Sequence, residues 1–264
     1  MFEKAREDGN PNHVKIVAVH KEQVQRYNDL IYSMMHPDET SPYNPLHAGD
    51  MIMFYAPYGE DEDELGNQVS KYYNSSELVV QKVKTAPYKA DLSNIIDMLH
   101  KFAPNIDTTP YESIMVQDIE VEYNGHPDTI TVICPSLDNT ETLIQLGTKL
   151  GRLANEFYRD GKINLGGMFL GLRTSLEQKI ADVRLNYAIS AHKSQGSTYD
   201  IVIVDSKDIR GGRVKGERYN NGNPRATWGG FTGPGERAAI MYTAITRASN
   251  VTVVLHGTNG EEAT

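Results

Sequence analysis

The sequence predicts an α/β protein, a parallel sheet flanked by helices, with a small β-barrel subdomain inserted into it. Two observations predict this. Apolar runs rich in β-branched residues, "HVKIVAVH" (13–20), "RLNYAIS" (184–190), "IVIVD" (201–205) and "VTVVLHG" (251–257), alternate with longer stretches of helical periodicity. Strands alternating with helices build parallel sheets. The region 46–135 reads differently, as short strands separated by turn signals. An insert with its ends close together is well tolerated in such a sheet.

Each element has its own warrant. After the first strand, "KEQVQRYNDLIYSMM" (21–35) carries Val24, Tyr27, Leu30, Ile31 and Met34 at helical spacing. Three prolines in "HPDETSPYNP" (36–45) end that pattern. In the insert, "HAGDMIMFYAP" (47–57) is a turn then a strand, and "ELVVQKVKT" (77–85) and "SIMVQDIEVEY" (113–123) are further strands. "NGHPD" (124–128) is a hairpin signal with "TITVICP" as the returning strand. "GEDEDELGN" (59–67) reads as a solvated acidic excursion and "LSNIIDMLHKF" (92–102) as a short helix. The strands of 46–135 suit a barrel of SH3-like topology. Residues 138–161 are helical, a connector follows, and "TSLEQKIADV" (174–183) is helical again. "ERAAIMYTAITRAS" (236–249) is the last helix. The division is 1–45, 46–135 and 136–264, with the first and third segments joining in one sheet.

Composition narrows the function. The chain has 264 residues, 39% of them hydrophobic, and carries a net charge of −9. That charge argues against a general polyanion binder, since phosphate binding leaves a basic footprint, and leaves room for a local basic groove on an acidic body. Cys134 is the single cysteine, which excludes an internal disulfide and a cysteine zinc site. No apolar run is long enough to span a membrane, and the charged start "MFEKAREDGNPNH" lacks a signal-peptide core. The expectation is a cytoplasmic protein, in the host cytoplasm if the chain is phage-encoded.

Two stretches carry candidate chemistry. "AISAHKSQGSTYDIVIVD" (188–205) sets a polar, glycine-centred turn between two strands. Ligands bind at strand ends of parallel sheets, and Gly196 permits close backbone approach to a phosphate. Gln195 donates and accepts, and Ser190, His192 and Ser197 add hydrogen-bonding groups. By spacing alone an ordinary polar loop is the favoured reading of the turn, because polar turns are common. "MYTAITRASN" (241–250) ends a helix with Arg247. That arginine reads either as a cation complementing the helix dipole or as one placed to reach a phosphoryl group.

Together these stretches resemble the second RecA-like motor domain of superfamily 1 helicases, in the RecD/Dda-like branch. "YAISAHKSQGSTYDIVIVD" resembles that branch's motif V with its "HKSQG" signature, and "AAIMYTAITRAS" resembles motif VI. "VKIVAVHKEQVQRYNDLI" resembles motif IV, with His20-Lys21 where a Thr-Asn pair is common. Dda-type helicases also carry an SH3-like insert between motifs IV and V, matching 46–135 in position. The resemblance implies that Arg247 is an arginine finger for the γ-phosphate of ATP, and that Gln195 and Gly196 face the nucleotide. It implies that Ser190, His192 and Lys193 contact single-stranded DNA. Tyr242 and Thr246 would support Arg247, Thr198 and Asp200 would orient the loop, and Arg26 and Asn28 would be surface or helix-packing residues. No "GxxxxGK[ST]" phosphate loop and no Mg²⁺-binding acidic pair occur in the chain. ATP and Mg²⁺ would therefore be shared with an N-terminal helicase half, on the same or a separate chain, and this chain alone would hydrolyse no ATP.

The stretch 207–233 carries six Lys/Arg against two acids, with Tyr219, Trp228 and Phe231 interleaved. Charges that track phosphates and rings that stack on bases suit single-stranded DNA, and Arg213, Lys215 and Arg218 are its candidate contacts. A solvated glycine-rich loop is the other reading. Tyr55, Tyr58, Tyr72 and Tyr73 of the insert form either a binding surface or part of a core. The alternative function is a non-catalytic nucleic-acid- or protein-binding module derived from a helicase.

Overall fold

The computed structural model describes residues 1–63, 65–211 and 234–255. The chain forms two compact units. Unit 1 is Met1–Pro37 with Asn186–Thr264, and unit 2 is Asp38–Leu185.

Unit 1 begins with α1 (Phe2–Glu7), β1 (Val14–Ala18) and α2 (Lys21–Met35). The chain then builds the whole of unit 2. Its strands are β2 (Met51–Phe54), β3 (Tyr58–Glu62), β4 (Gln68–Tyr72), β5 (Glu77–Val79), β6 (Lys82–Val83) and β7 (Tyr88–Lys89). After α3 (Ser93–Phe102) come β8 (Met115–Tyr123), β9 (His126–Ile133), α4 (Leu137–Arg159), α5 (Ile163–Lys179) and β10 (Val183–Leu185). The chain returns to unit 1 with β11 (Ala188–Ser190), β12 (Tyr199–Asp205), α6 (Ser206–Gly211), α7 (Pro234–Ile245) and β13 (Ala248–Leu255).

The unit 1 sheet has the order β11-β1-β12-β13, and every neighbouring pair is parallel. All five residues of β1 are buried, as a strand covered on both faces requires. One of them is Lys15, whose Nζ donates to the Asn186 carbonyl at 2.6 Å and lies 5.2 Å from the centre of the Tyr199 ring. α2 turns Val24, Asn28, Ile31 and Tyr32 inward. Leu30 and Met34, expected on the apolar stripe, are exposed. Asn28 takes the inner face instead. Its Oδ1 accepts from the Tyr187 and Ala188 N–H groups, and its Nδ2 donates to the Ala188 carbonyl. Hydrogen bonds from both ends of its amide make a polar residue tolerable at a core position.

Unit 2 differs from the sequence-based outline in three ways. Its strands form three sheets, β10-β2-β5, β3-β4 and a sheet around β8. No pairing among the described residues closes them into one barrel. Helices α4 and α5 belong to this unit, so the compact boundaries fall at 37/38 and 185/186 rather than at 45/46 and 135/136. Of the segment read as a connector, 162–173, all but Lys162 lies within α5. Its glycines allow close helix packing: a Cβ on Gly166 would stand 2.7 Å from the Tyr158 ring. "RLNYAIS" is two strands, β10 antiparallel to β2 in unit 2 and β11 parallel to β1 in unit 1. The β8–β9 hairpin forms as expected, with Asn124 at φ 50° and Gly125 at φ 78° in a two-residue turn.

Of the four tyrosines of the insert, Tyr72 is buried, stacks on Phe54 at 4.7 Å and donates to Asp128. Tyr73 is exposed. Tyr58 neighbours the stack and Tyr55 lies under the Arg184 guanidinium. Three of the four therefore pack within unit 2.

Candidate functional site

The sheet of unit 1 offers two edges, and the chemistry-bearing residues divide between them. β11 ends at Ser190, paired with Ala18 at the carboxyl end of β1. Residues 191–198 then run back to the amino end of β12 without a helix. The turn is held by its own backbone: Ser194 N–H donates to the Ser190 carbonyl, Gln195 to His192 and Ser197 to Ser194. The buried Ser194 hydroxyl donates to the Ala191 carbonyl, and the Ser190 hydroxyl accepts from the Lys193 N–H. Gly196 sits at φ +89°, a conformation that favours glycine. It is exposed, and its N–H has no acceptor among the described residues.

Arg247 follows α7 and precedes β13. Its carbonyl accepts the Tyr199 N–H at 2.8 Å, which ties it to the end of the turn. Its Nη1 donates to the Ser197 carbonyl at 3.4 Å, its Nε to the Thr243 carbonyl at 3.2 Å, and its Nη2 to the Thr246 hydroxyl at 3.2 Å. The Thr243 bond caps the last turn of α7, so the helix-end reading of this arginine is met. The guanidinium has five N–H groups, and no carboxylate among the described residues pairs with it. It is oriented by neutral oxygens. Asp200 braces the same edge: its carboxylate meets His13 Nδ1 at 3.1 Å and accepts from the Ser249 hydroxyl at 3.3 Å.

The structure thus brings Arg247, Gly196 and Ser197 to the amino edge of β12 and β13. It places Ser190, His192 and Lys193 at the opposite end of the turn, beside the carboxyl end of β1. His192 and Gln195 are exposed and Lys193 is partly so. Thr246 bonds Arg247 as expected. Tyr242, expected to support it, is 71% exposed. Thr198 is exposed, and Asp200 rather than Thr198 anchors the turn. Arg213, Lys215 and Arg218 lie outside the described residues.

A cluster at the carboxyl edge was not legible in the sequence. The Asp208 carboxylate accepts from the N–H groups of Val19 and His20 at 2.5 and 3.0 Å, and meets His20 Nδ1 at 2.6 Å. Beside it the Tyr27 hydroxyl donates to Asp205 at 2.8 Å. Burial, then this bond to Asp205, pushes the Tyr27 hydroxyl pKa up. Asp208 lies in a stretch read as a basic loop, and nothing local marks it as the acceptor for the Val19 and His20 N–H groups ahead of α2. No three His, Cys, Asp or Glu among the described residues are arranged to hold a metal ion. Burial pushes the Cys134 thiol up to about 12, leaving it protonated and a poor nucleophile. Among the described residues no helix is long and apolar enough to cross a membrane.

No protein-family model matches the chain. Among curated proteins it is similar to an uncharacterized protein of Acanthamoeba polyphaga mimivirus, 25% identical over 219 residues. That match covers 75% of this chain and 42% of the relative, so the chain spans less than half of the relative's length. Among solved structures it is similar to the Pif1 helicase from Candida albicans, with a TM-score of 0.37 and 14% identity over 97% of this chain and 50% of that one. It is also similar to a Bacteroides Pif1 helicase solved with ADP-AlF3 and ssDNA, with a TM-score of 0.37 and 13% identity over 93% and 41% of the two chains.

Proposed function

We propose that this chain is the second RecA-like motor half of an ATP-dependent DNA helicase of superfamily 1, in the RecD/Dda-like branch. The observation that carries the reading is the meeting of two distant motifs. Arg247, from the "TRA" stretch, hydrogen-bonds the carbonyl of Ser197, from the "HKSQGS" stretch. A polar loop and a helix-capping arginine have no need of each other as separate features, but a phosphate site needs both.

In this reading Arg247 directs its guanidinium at the γ-phosphate of ATP bound on an N-terminal helicase half. There it stabilises the charge that develops on the transferred group. Gly196 offers its backbone N–H and Gln195 its amide to the same nucleotide. ATP supplies the free energy of domain closure. Mg²⁺ would be held by that other half, since no paired acids in this chain suit it. Ser190, His192 and Lys193 contact the phosphates of single-stranded DNA at the other end of the turn, and Arg213, Lys215 and Arg218 add contacts. The turn 191–198 then links nucleotide state to grip.

The test begins with the DNA directly upstream of the Met1 codon. A frame encoding a glycine-rich Lys-Ser/Thr phosphate loop and a paired-acid strand is to be expressed with this chain. The pair is expected to hydrolyse ATP when single-stranded DNA is added, while this chain alone does not. If no such frame exists, or the pair ignores DNA, the chain is a non-catalytic binding module.

A further inference from the structure

A groove in unit 2 has no part in the motor reading. The helical hairpin α4–α5 and the segment joining β2 to β3 enclose a cavity of about 150 Å³, lined by Leu143, Leu176, Ile180 and Pro57. Leu143, Leu176 and Ile180 are buried, and Ile144 at the mouth is 42% exposed. Pro57 and Glu177 also line an adjoining cavity of about 260 Å³, which continues along β3 and β4 past Glu60 and Gln178. An apolar hole therefore opens into a polar trough.

The charged side chains lining the trough are the carboxylates of Glu60 and Glu177. Arg173 at the hole is spent on Glu177, its Nε donating at 2.8 Å. Glu60 meets the neutral Gln178 amide. Next to Glu60 on the same hairpin, outside the trough lining, follow Asp61, Glu62 and Asp63, while Lys71 of β4 is paired with Asp128. Hydrogen bonds from the Tyr123 hydroxyl and from Asn67 hold the Asp61 and Asp63 carboxyls below the usual range, so this hairpin stays charged. Gly147, also lining the hole, sits in α4 with nothing within 4 Å of an added Cβ. Neither its backbone conformation nor a close neighbour requires glycine there. Its effect is to leave volume, at some cost to the helix.

We propose that this groove docks a basic peptide segment of a partner protein. One aliphatic side chain of the segment seats between α4 and α5, and flanking Lys or Arg side chains lie along β3 and β4. A desolvated apolar anchor supplies affinity, and the acidic trough supplies orientation and selectivity. The same field repels nucleic acid.

The test uses the full chain and fluorescence anisotropy. The probe is a fluorescein-labelled peptide with one leucine flanked on each side by Arg-Lys in a Gly-Ser frame. Saturable binding is expected, lost when the peptide leucine becomes serine and weakened roughly tenfold by Glu60→Lys. Gly147→Leu fills the hole and removes a helical glycine, so it should abolish binding while raising the melting temperature. The proposal is overturned if the folded wild type gives no saturable binding or if Gly147→Leu binds as before. It is equally overturned if an acidic version of the peptide, or a labelled oligo-dT, binds as well.

Discussion

At the carboxyl ends of β1 and β12, Asp208 gathers two backbone N–H groups and the His20 ring, and Asp205 takes the Tyr27 hydroxyl. At the amino ends of β12 and β13, Arg247 is held by two carbonyls and a hydroxyl, with no carboxylate among the described residues. One edge of the sheet consumes its charge internally; the other orients a charge and leaves it available. Topology points to the first edge, because ligands of open α/β sheets bind beyond the strand carboxyl ends where the strand order reverses. The unspent cation points to the second. An arginine fixed by neutral acceptors is pre-organised for an anion, whereas Asp208 already occupies the Val19 and His20 N–H groups that lead into α2.

Substitutions at the two edges should separate these roles. Asp208→Ala strands two N–H groups and a histidine, and is expected to lower unfolding free energy by about 3 kcal/mol in a urea titration. A loss under about 1 kcal/mol would mean that the carboxyl edge is not self-contained. Asn28→Ala removes three buried hydrogen bonds to the backbone at the start of β11, for an expected loss of about 2 kcal/mol. It should also loosen the turn that begins at Ser190, visible as faster amide exchange there. Asp200→Ala breaks a partly exposed pair with His13 and should cost about 1 kcal/mol. Arg247→Ala should be the mildest, about 0.5 kcal/mol, since it removes only neutral contacts at the rim. A cost for Arg247→Ala matching that of Asp208→Ala would erase the contrast.

The sequence made the parallel core of unit 1 legible because its strands and α2 carry clean periodicity: α2 spans 21–35, as its pattern predicts. It made Arg247 and the 190–198 turn legible because their residue order is distinctive. Long-range pairings were less legible. Nothing local told that "RLNYAIS" would be divided between two sheets by Asn186 and Tyr187. The glycines of 162–173 looked like a connector, since their packing partner, Tyr158, acts through tertiary contact. Asn28 outcompeted Leu30 for the inner face because bonding to β11 outweighs apolar spacing. Asp208 reaches the His20 N–H, just before α2, from 188 residues away.

The most direct test of the central contrast is DNA-stimulated ATP turnover by the reassembled motor carrying Arg247→Ala, with its melting temperature measured on the same preparation. Turnover is expected to fall by about 10³-fold with melting nearly unchanged. Turnover within a few-fold of the parent would contradict the account and leave Arg247 as no more than the cap of α7.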